Sequence, residues 1–475
     1  MRLPIIAILS FSTITGFAQN FQALHGSPYA GSMGTDYNPA AALNMPYKWD
    51  LTILGLQQKS ITNAFYIENA GLFTTDTAYV KGKNGYFRRY AHASNAINLF
   101  HFSYRIKEDK AVSFGINLRN YVHGSTTPFY WNDTLTNDAL TFMQNNAQTP
   151  MLKGQAQTSS WVEYNLGYSQ VLKSNELGRW QAGVQLHIMQ GIAGGFGRLD
   201  NISFQQQKVG NTTDFLLTDT YGRYGYSKNA DALDSNLSTG QNIRNFLKGN
   251  KLSLGLDLGI EYVRYYEDPV GNSTSSPADY DWKIGVSLLD IGKNRFEYGK
   301  ESAIVSGAQP NIYVSQLENK FTNVKSASAF NDSVRTVVGH FDTLRGTFSI
   351  NNPARMLINI DKSLPNNFYV NAELQIQFAS TRTPLRLNTR ELSVLTVTPR
   401  WETKNLGVYL PVQYTTEANL WVGLGLKAGP LVVGLHNLGW LFGRNSLPNG
   451  GGYIGIQIRA KQPKERDKWL CPTTK

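Results

Sequence analysis

Few residues in this chain have the types and spacing for chemistry. His101-Phe102-Ser103 has the His-x-Ser spacing of a lipid-cleaving pair, in which both side chains must share one face of a strand. Asp257 and Glu261 stand four apart and could form a carboxylate couple. The 7 histidines are scattered without metal-ligand spacing, and the single cysteine, Cys471, excludes an internal disulfide. No phosphate loop, nucleotide fingerprint or redox motif is present. The sequence therefore predicts no cofactor and no metal.

What these side chains can do depends on the elements that hold them. Lys251–Tyr262 alternates strictly: Leu252, Leu254, Leu256, Leu258, Ile260 and Tyr262 against Lys251, Ser253, Gly255, Asp257, Gly259 and Glu261. That is a β-strand with one apolar and one polar or small face. Its length suits a bilayer crossing of about 9–11 residues better than a soluble strand of about 5–6. The pattern returns at Tyr47–Gln57, Ala96–Ile106, Ala111–Val122, Ser160–Leu172, Arg179–Ile192, Trp282–Leu289, Arg355–Asp361, Phe368–Phe378 and Tyr453–Ala460. Less regular strands are expected near Glu391–Trp401, Leu406–Tyr414, Leu420–Lys427 and Leu431–Leu435.

These strands make an even total of fourteen, as a closed barrel with both termini on one side requires. Tight turns such as Lys107–Lys110 and Leu364–Asn367 tend to alternate with loops of dozens of residues, the rim pattern of an outer-membrane barrel. Aromatic residues form 12% of the chain, enough for interfacial girdles. The net charge of +11 comes from scattered Lys and Arg, so nucleic acid is not an expected partner. The fold class is all-β, a 14-stranded antiparallel transmembrane barrel facing outer-membrane lipid.

Face assignment then sorts the chemistry. Phe100, Phe102 and Tyr104 take the apolar face, so His101 and Ser103 point into the lumen, away from any lipid substrate. The pair reads as interior polar lining, and the chain as non-enzymatic. Asp257 and Glu261 are lumen-facing with Asn117, Arg119, Glu373 and Gln375, and a basic neighbour such as Arg119 or Arg459 is the expected partner for the carboxylates.

Residues 1–18 have a charged start, the apolar run Ile5–Phe11 and a Gly16-Phe17-Ala18 cleavage site, predicting a Sec-type signal peptide and export. Residues 19–46 show neither helical nor strand period and are expected to fold inward as a plug. Within them Asn38 should cap a short turn begun by Pro39, with Ala40 and Ala41 following. The barrel is assigned to residues 47–460 and a periplasmic tail to 461–475. Thr77, Thr134, Ser333 and Thr343 each follow Asp and precede an apolar residue, matching an Asp-Ser/Thr-apolar O-glycosylation acceptor in loops placed outside the cell.

The Asn38-Pro39-Ala40 box directly before the first strand resembles the FadL-type outer-membrane channels. The chain is most similar to an uncharacterised Bacteroidota group within that superfamily, through Gly285–Gly292, Leu364-Pro365 before Asn367-Phe368-Tyr369, and Cys471-Pro472. The resemblance implies a barrel partly closed by its N-terminal segment that passes a small, hydrophobic compound. The alternative is a scaffold or receptor subunit that binds a protein partner through its long loops.

Overall fold

The structure is a computed structural model. It describes residues 21–69, 77, 79–133, 138–149, 152–234, 236–248, 250–266, 280–322, 324–378, 386–417, 419–442 and 449–460. The expected signal peptide, the tail 461–475 and Thr134 lie outside these residues.

Fourteen antiparallel strands close on themselves. In chain order they are β1 (Trp49–Thr62), β2 (Gly85–Lys107), β3 (Lys110–Trp131), β4 (Gly154–Asn175), β5 (Gly178–Val209), β6 (Leu252–Arg264) and β7 (Trp282–Glu297). There follow β8 (Arg355–Ser363), β9 (Phe368–Gln377), β10 (Val394–Glu402), β11 (Leu406–Tyr409 and Val412–Thr415), β12 (Leu420–Val422 and Leu424–Ala428), β13 (Leu431–Leu435) and β14 (Asn449–Arg459). The seam is β1 against β14, from Asp50↔Arg459 to Ile61↔Asn449. Closure pairs the strands on both sides around the ring, except at the top of β6, where β7 departs beyond Gly292↔Gly255.

The period-2 pattern decides which way each strand faces. Leu254, Leu258, Phe114, Leu166, Leu374 and Ile456 all point outward and are exposed, each from a different strand or level of the wall. Asp257, Glu261, Asn117, Glu373 and Gln375 are buried on the inner face. This apolar exterior around a polar interior is the pattern of a transmembrane barrel of the outer-membrane type. No described helix is long and apolar enough to cross a membrane.

Strands β2 to β5 run well past the lengths expected from sequence, to 32 residues in β5. Above the level where β5 stops pairing with β6, at Gln190↔Leu252, it pairs instead with Thr212–Tyr226. That strand pairs with Ala303–Ser306, and this in turn with His340–Thr343. The segments read as long loops are therefore largely an ordered extracellular layer, with helices at Ala139–Asn145, Thr239–Leu247, Val314–Phe321 and Ala327–Arg335. Asp138 caps the first of these, and the Thr141 backbone N–H and hydroxyl hold its carboxyl below its ordinary value.

β7 departs from the simple pattern. Its register against β6 breaks between Leu288 and Ile291, and Asp290 within the break has φ +57°. A bulge of this kind bends a strand and re-aims its side chains. Beyond it, Lys293–Glu297 leaves β8 and pairs with Thr347–Asn351, which pairs in parallel with Leu387–Asn388. These strands lie inside the barrel mouth. Asn388 N–H donates to the lumen-facing Gln157 at 2.8 Å, and Phe296 rests where Gly191 and Gly194 leave room on β5.

Candidate functional site

The interior is organised by the N-terminal segment, residues 21–45. It touches β1, β2, β4, β5, β6, β7, β9, β10 and β14, a set that only a chain inside the barrel can reach. Asn38 has extended backbone angles and accepts the Ala40 N–H at 3.0 Å, and Pro39 opens the short 3-10 helix Pro39–Leu43. Proline loses nothing at that first position, where its missing N–H would be unpaired anyway.

Glycines on the lumen face supply the seats. A Cβ at Gly183 would overlap the Pro39–Ala40 peptide, and one at Gly259 or Gly285 would strike the Asn38 amide. Gly55 and Gly455 make the same allowance for Phe21, and Gly455 also for Met33. Gly31 within the segment has φ +56° and faces the Asp50 carboxylate so closely that no side chain fits.

Polar contacts fix the segment on these seats. Ser32 N–H donates to Asp50 Oδ1 at 2.8 Å, and Gln457 Nε2 donates to the same oxygen at 2.9 Å and to Ala30 O at 2.7 Å. Ser169 Oγ donates to Pro39 O at 2.7 Å. Asn44 Nδ2 and Gln181 Nε2 each donate to Glu261 Oε2 at 2.6 Å. His25 pairs with Glu373, while Gln375 Nε2 donates to Leu392 O at 2.7 Å away from the segment.

Two charge networks lie behind these contacts. Near the periplasmic end, Arg400 takes Asp361 through both nitrogens at 2.7 and 2.9 Å and Glu402 at 3.2 Å. Lys427 and Ser27 bind Glu402 at 2.8 and 2.7 Å, and Lys283 donates to Gly26 O. At mid-lumen, Asp290 binds Arg119 and Arg355, and its backbone N–H donates to Asp257 Oδ1 at 2.6 Å. His187 Nε2 lies 2.9 Å from Asp257 Oδ2, and Asn117 Nδ2 donates to Glu163 at 3.1 Å. A cavity of about 40 Å³ between Asp36, Arg119, Glu163, His187, Asp257 and Arg355 has room for ordered water.

The carboxylate partners differ from the sequence expectation. Asp257 pairs with His187, and Glu261 with two amides, rather than with Arg119 or Arg459. Arg119 instead serves Asp290, and Arg459 lies 3.5 Å from Asp50. Asp290, the hub of the mid-lumen network, was not singled out from sequence. The break in alternation at Leu288-Leu289-Asp290-Ile291 was the signal for it.

His101 and Ser103 are fully buried on the lumen face. His101 Nε2 lies 3.0 Å from Thr35 Oγ1 of the N-terminal segment, and among the described residues Ser103 Oγ has no hydrogen-bond partner. The two side chains are therefore not engaged as a nucleophile and base. No group of three or more metal-ligating side chains is present among the described residues.

Above the lumen, Phe196, Phe296, Phe348, Ile350 and Leu387 pack together, with Tyr298 and Leu344 against them. Beside this cluster lies a cavity of about 340 Å³ bordered by Lys228, Glu297, Tyr298, Lys300, Leu344 and Arg345. Thr77 and Thr343 are exposed. Ser333 is half-buried in its helix and donates to Lys320 O at 2.6 Å.

No curated protein sequence matches the chain. Among solved structures it is similar to the Ralstonia pickettii toluene transporter TbuX, at 12% identity over 94% of this chain and 95% of that one, with a TM-score of 0.39. It is also similar to a Pseudomonas aeruginosa FadL homologue, at 12% identity over 93% and 98%, TM-score 0.41. The Pseudomonas putida toluene transporter TodX aligns at 10% identity over 93% and 96%, TM-score 0.33. A family model matches residues 39–435, from the proline that opens the 3-10 helix through to the end of β13, and the chain belongs to that family, the family of unknown function DUF5723.

Proposed function

We propose that the protein is an outer-membrane channel or carrier for a small, hydrophobic compound, and that the N-terminal segment is its plug. A fourteen-stranded wall encloses more space than its side chains fill. Here that space is taken by the N-terminal segment, laid on glycine seats and held by side-chain hydrogen bonds, outside every strand pairing of the wall. This filling, separate from the pairings of the wall, is the observation that carries the reading.

The compound's class is inferred from the mouth. Tyr298 and Leu344, packed on the buried cluster of Phe196, Phe296 and Phe348, give the 340 Å³ cavity at the extracellular entrance an apolar side opposite Lys228, Lys300 and Arg345. The lumen below is lined by Arg119, Asp257, Asp290 and Arg355, so an apolar compound gains nothing by following the axis. The wall beside β6, β7 and β8, where β7 turns inward at Asp290, is the better exit, directly toward lipid.

A second reading, a non-transporting scaffold or receptor, draws support from the ordered extracellular layer and the filled lumen. Uptake separates the two. Proteoliposomes or cells carrying the protein should take up toluene or N-phenyl-1-naphthylamine faster than empty controls, with no gain for a polar solute of similar size. Equal uptake with and without the protein would favour the scaffold. Deleting Ser27–Ala41 should raise single-channel conductance in planar bilayers, and traces matching wild type would mean that the segment closes nothing.

A further inference from the structure

The outward face of β6 changes character near its extracellular end. Leu258 and Ile260 are 40% and 42% exposed, whereas Leu252 and Leu254 are each 65% exposed. The cause is the departure of β7, whose last pairs with β6 are Ile291↔Leu256 and Gly292↔Gly255. Above that level Leu252 and Leu254 have a neighbouring strand only on the β5 side.

The helix Thr239–Leu247 precedes this bare corner. Ser238 and Gln241 form a capping box at its start. Its inner side is fastened to the rim: Asn229 Nδ2 donates to Phe246 O at 2.9 Å and also to Ile192 O on β5. Ile243 and Leu247, one turn apart, remain 55% and 44% exposed, and Leu233 just before the helix is 52% exposed. Exposed apolar side chains thus run from Leu252 and Leu254 at the top of β6 to Leu247 and Ile243 on the helix just before it in the chain.

Basic side chains border this surface. Arg244 and Lys248 are exposed in and just after the last helical turn, and Lys251 follows, tied to Glu297 at 2.7 Å. A nine-residue helix has little stability of its own in water. An amphipathic helix with apolar residues on one side and Lys and Arg beside them suits the boundary between headgroups and acyl chains.

We infer that Thr239–Leu247 is a membrane-interfacial helix, with Ile243 and Leu247 inserted among the acyl chains of the outer leaflet and Arg244 and Lys248 meeting anionic lipid headgroups. The occupant is lipid because the helix, tied through Asn229 to Ile192 O at the top of the membrane-crossing part of β5, stands directly before Leu252 and Leu254 in the chain, and those two continue the outward apolar face of β6. The helix stands at the corner that β7 leaves open and sets the height of the bilayer there.

Site-directed spin labelling tests this on the full-length protein. In a Cys471→Ser background, nitroxides are placed singly at Ile243 and Leu247, with Leu254 as the lipid reference and Asn236 as the aqueous one. These side chains are exposed, so labelling leaves the wall pairings intact. In phosphatidylcholine–phosphatidylglycerol vesicles, positions 243 and 247 should show a severalfold higher ratio of oxygen to nickel-chelate collision than position 236, close to that of 254. Removing phosphatidylglycerol, or introducing Arg244→Glu with Lys248→Glu, should move both labels toward water. Labels at 243 and 247 that meet the nickel chelate as freely as the one at 236 would overturn the assignment. So would immersion unaffected by lipid charge, for the part played by Arg244 and Lys248.

Discussion

The backbone N–H of Asp290 donates to Asp257 Oδ1 at 2.6 Å, so one lumen carboxylate pins the bulge at which a neighbouring strand leaves the wall. The Asp290 side chain also pairs with both Arg119 and Arg355, and Glu163 lies 3.5 Å from Arg119. Asp290→Ala would leave two guanidinium groups short of a counter-charge and place alanine at φ +57°. A loss of about 3–5 kcal/mol is expected, as for breaking a buried pair by removing one partner. Asp290→Asn tolerates the left-handed backbone and removes only the charge, so it should fall between wild type and alanine. Urea titration of the folded barrel in vesicles ranks the three, and an alanine variant as stable as wild type would remove Asp290 from its place as hub.

The glycine seats make a prediction that separates wall from filling. Gly183→Val drives two methyl groups into the Pro39–Ala40 peptide while pointing away from the strand pairings. The barrel should still insert and resist unfolding in detergent, but conductance across planar bilayers should rise as the segment is displaced. Unchanged conductance with normal folding would mean that the segment tolerates the intrusion and the seat is not needed.

Depth in the wall sets the cost of charge on its outer face. Leu258→Arg, well down the apolar belt, should cost ~2–4 kcal/mol, and Leu172→Arg, beside the periplasmic turn at Asn175, only about 0–1 kcal/mol. Equilibrium folding into liposomes measures both, and the reverse order would contradict the assigned membrane level.

The acceptor triplets in the extracellular layer are not equally available. Thr77 and Thr343 are exposed, whereas the Ser333 hydroxyl is spent on Lys320 O. Peptide mass analysis of protein from its native membrane should find glycan on the Thr77 and Thr343 peptides and none on Ser333. A modified Ser333, or unmodified peptides throughout, would refute this.

The wall was legible because a period of two survives any neighbour. Leu254 and Leu258 face out and Asp257 and Glu261 face in, whatever stands beside β6. The upper half of β5 was not legible, since Gly191, Gly194, Gly195 and Gly197 with Arg198, Asp200 and Asn201 give neither face an apolar signature. Once above the membrane, the strand no longer has lipid to impose one. Charge partners were hidden for another reason. His187 reaches Asp257 across neighbouring strands, and Asp290 reaches both arginines only because a bulge re-aims it, so sequence distance carries no information about either. Strand boundaries follow from local pattern, but the interior follows from register around the closed ring.

The seam has a consequence for assembly. Asp50 on the first strand and Gln457 on the last both bind the N-terminal segment, at Ser32 and Ala30, and Arg459 adds a bond to Tyr29 O at 2.8 Å. The segment is synthesised before any of the wall, and its bonds reach the two strands that must meet to close the ring. Once bonded to Asp50 through Ser32, it presents Ala30 O and Tyr29 O to the incoming Gln457 and Arg459. The earliest part of the barrel chain thereby favours closure in this register over a slipped one.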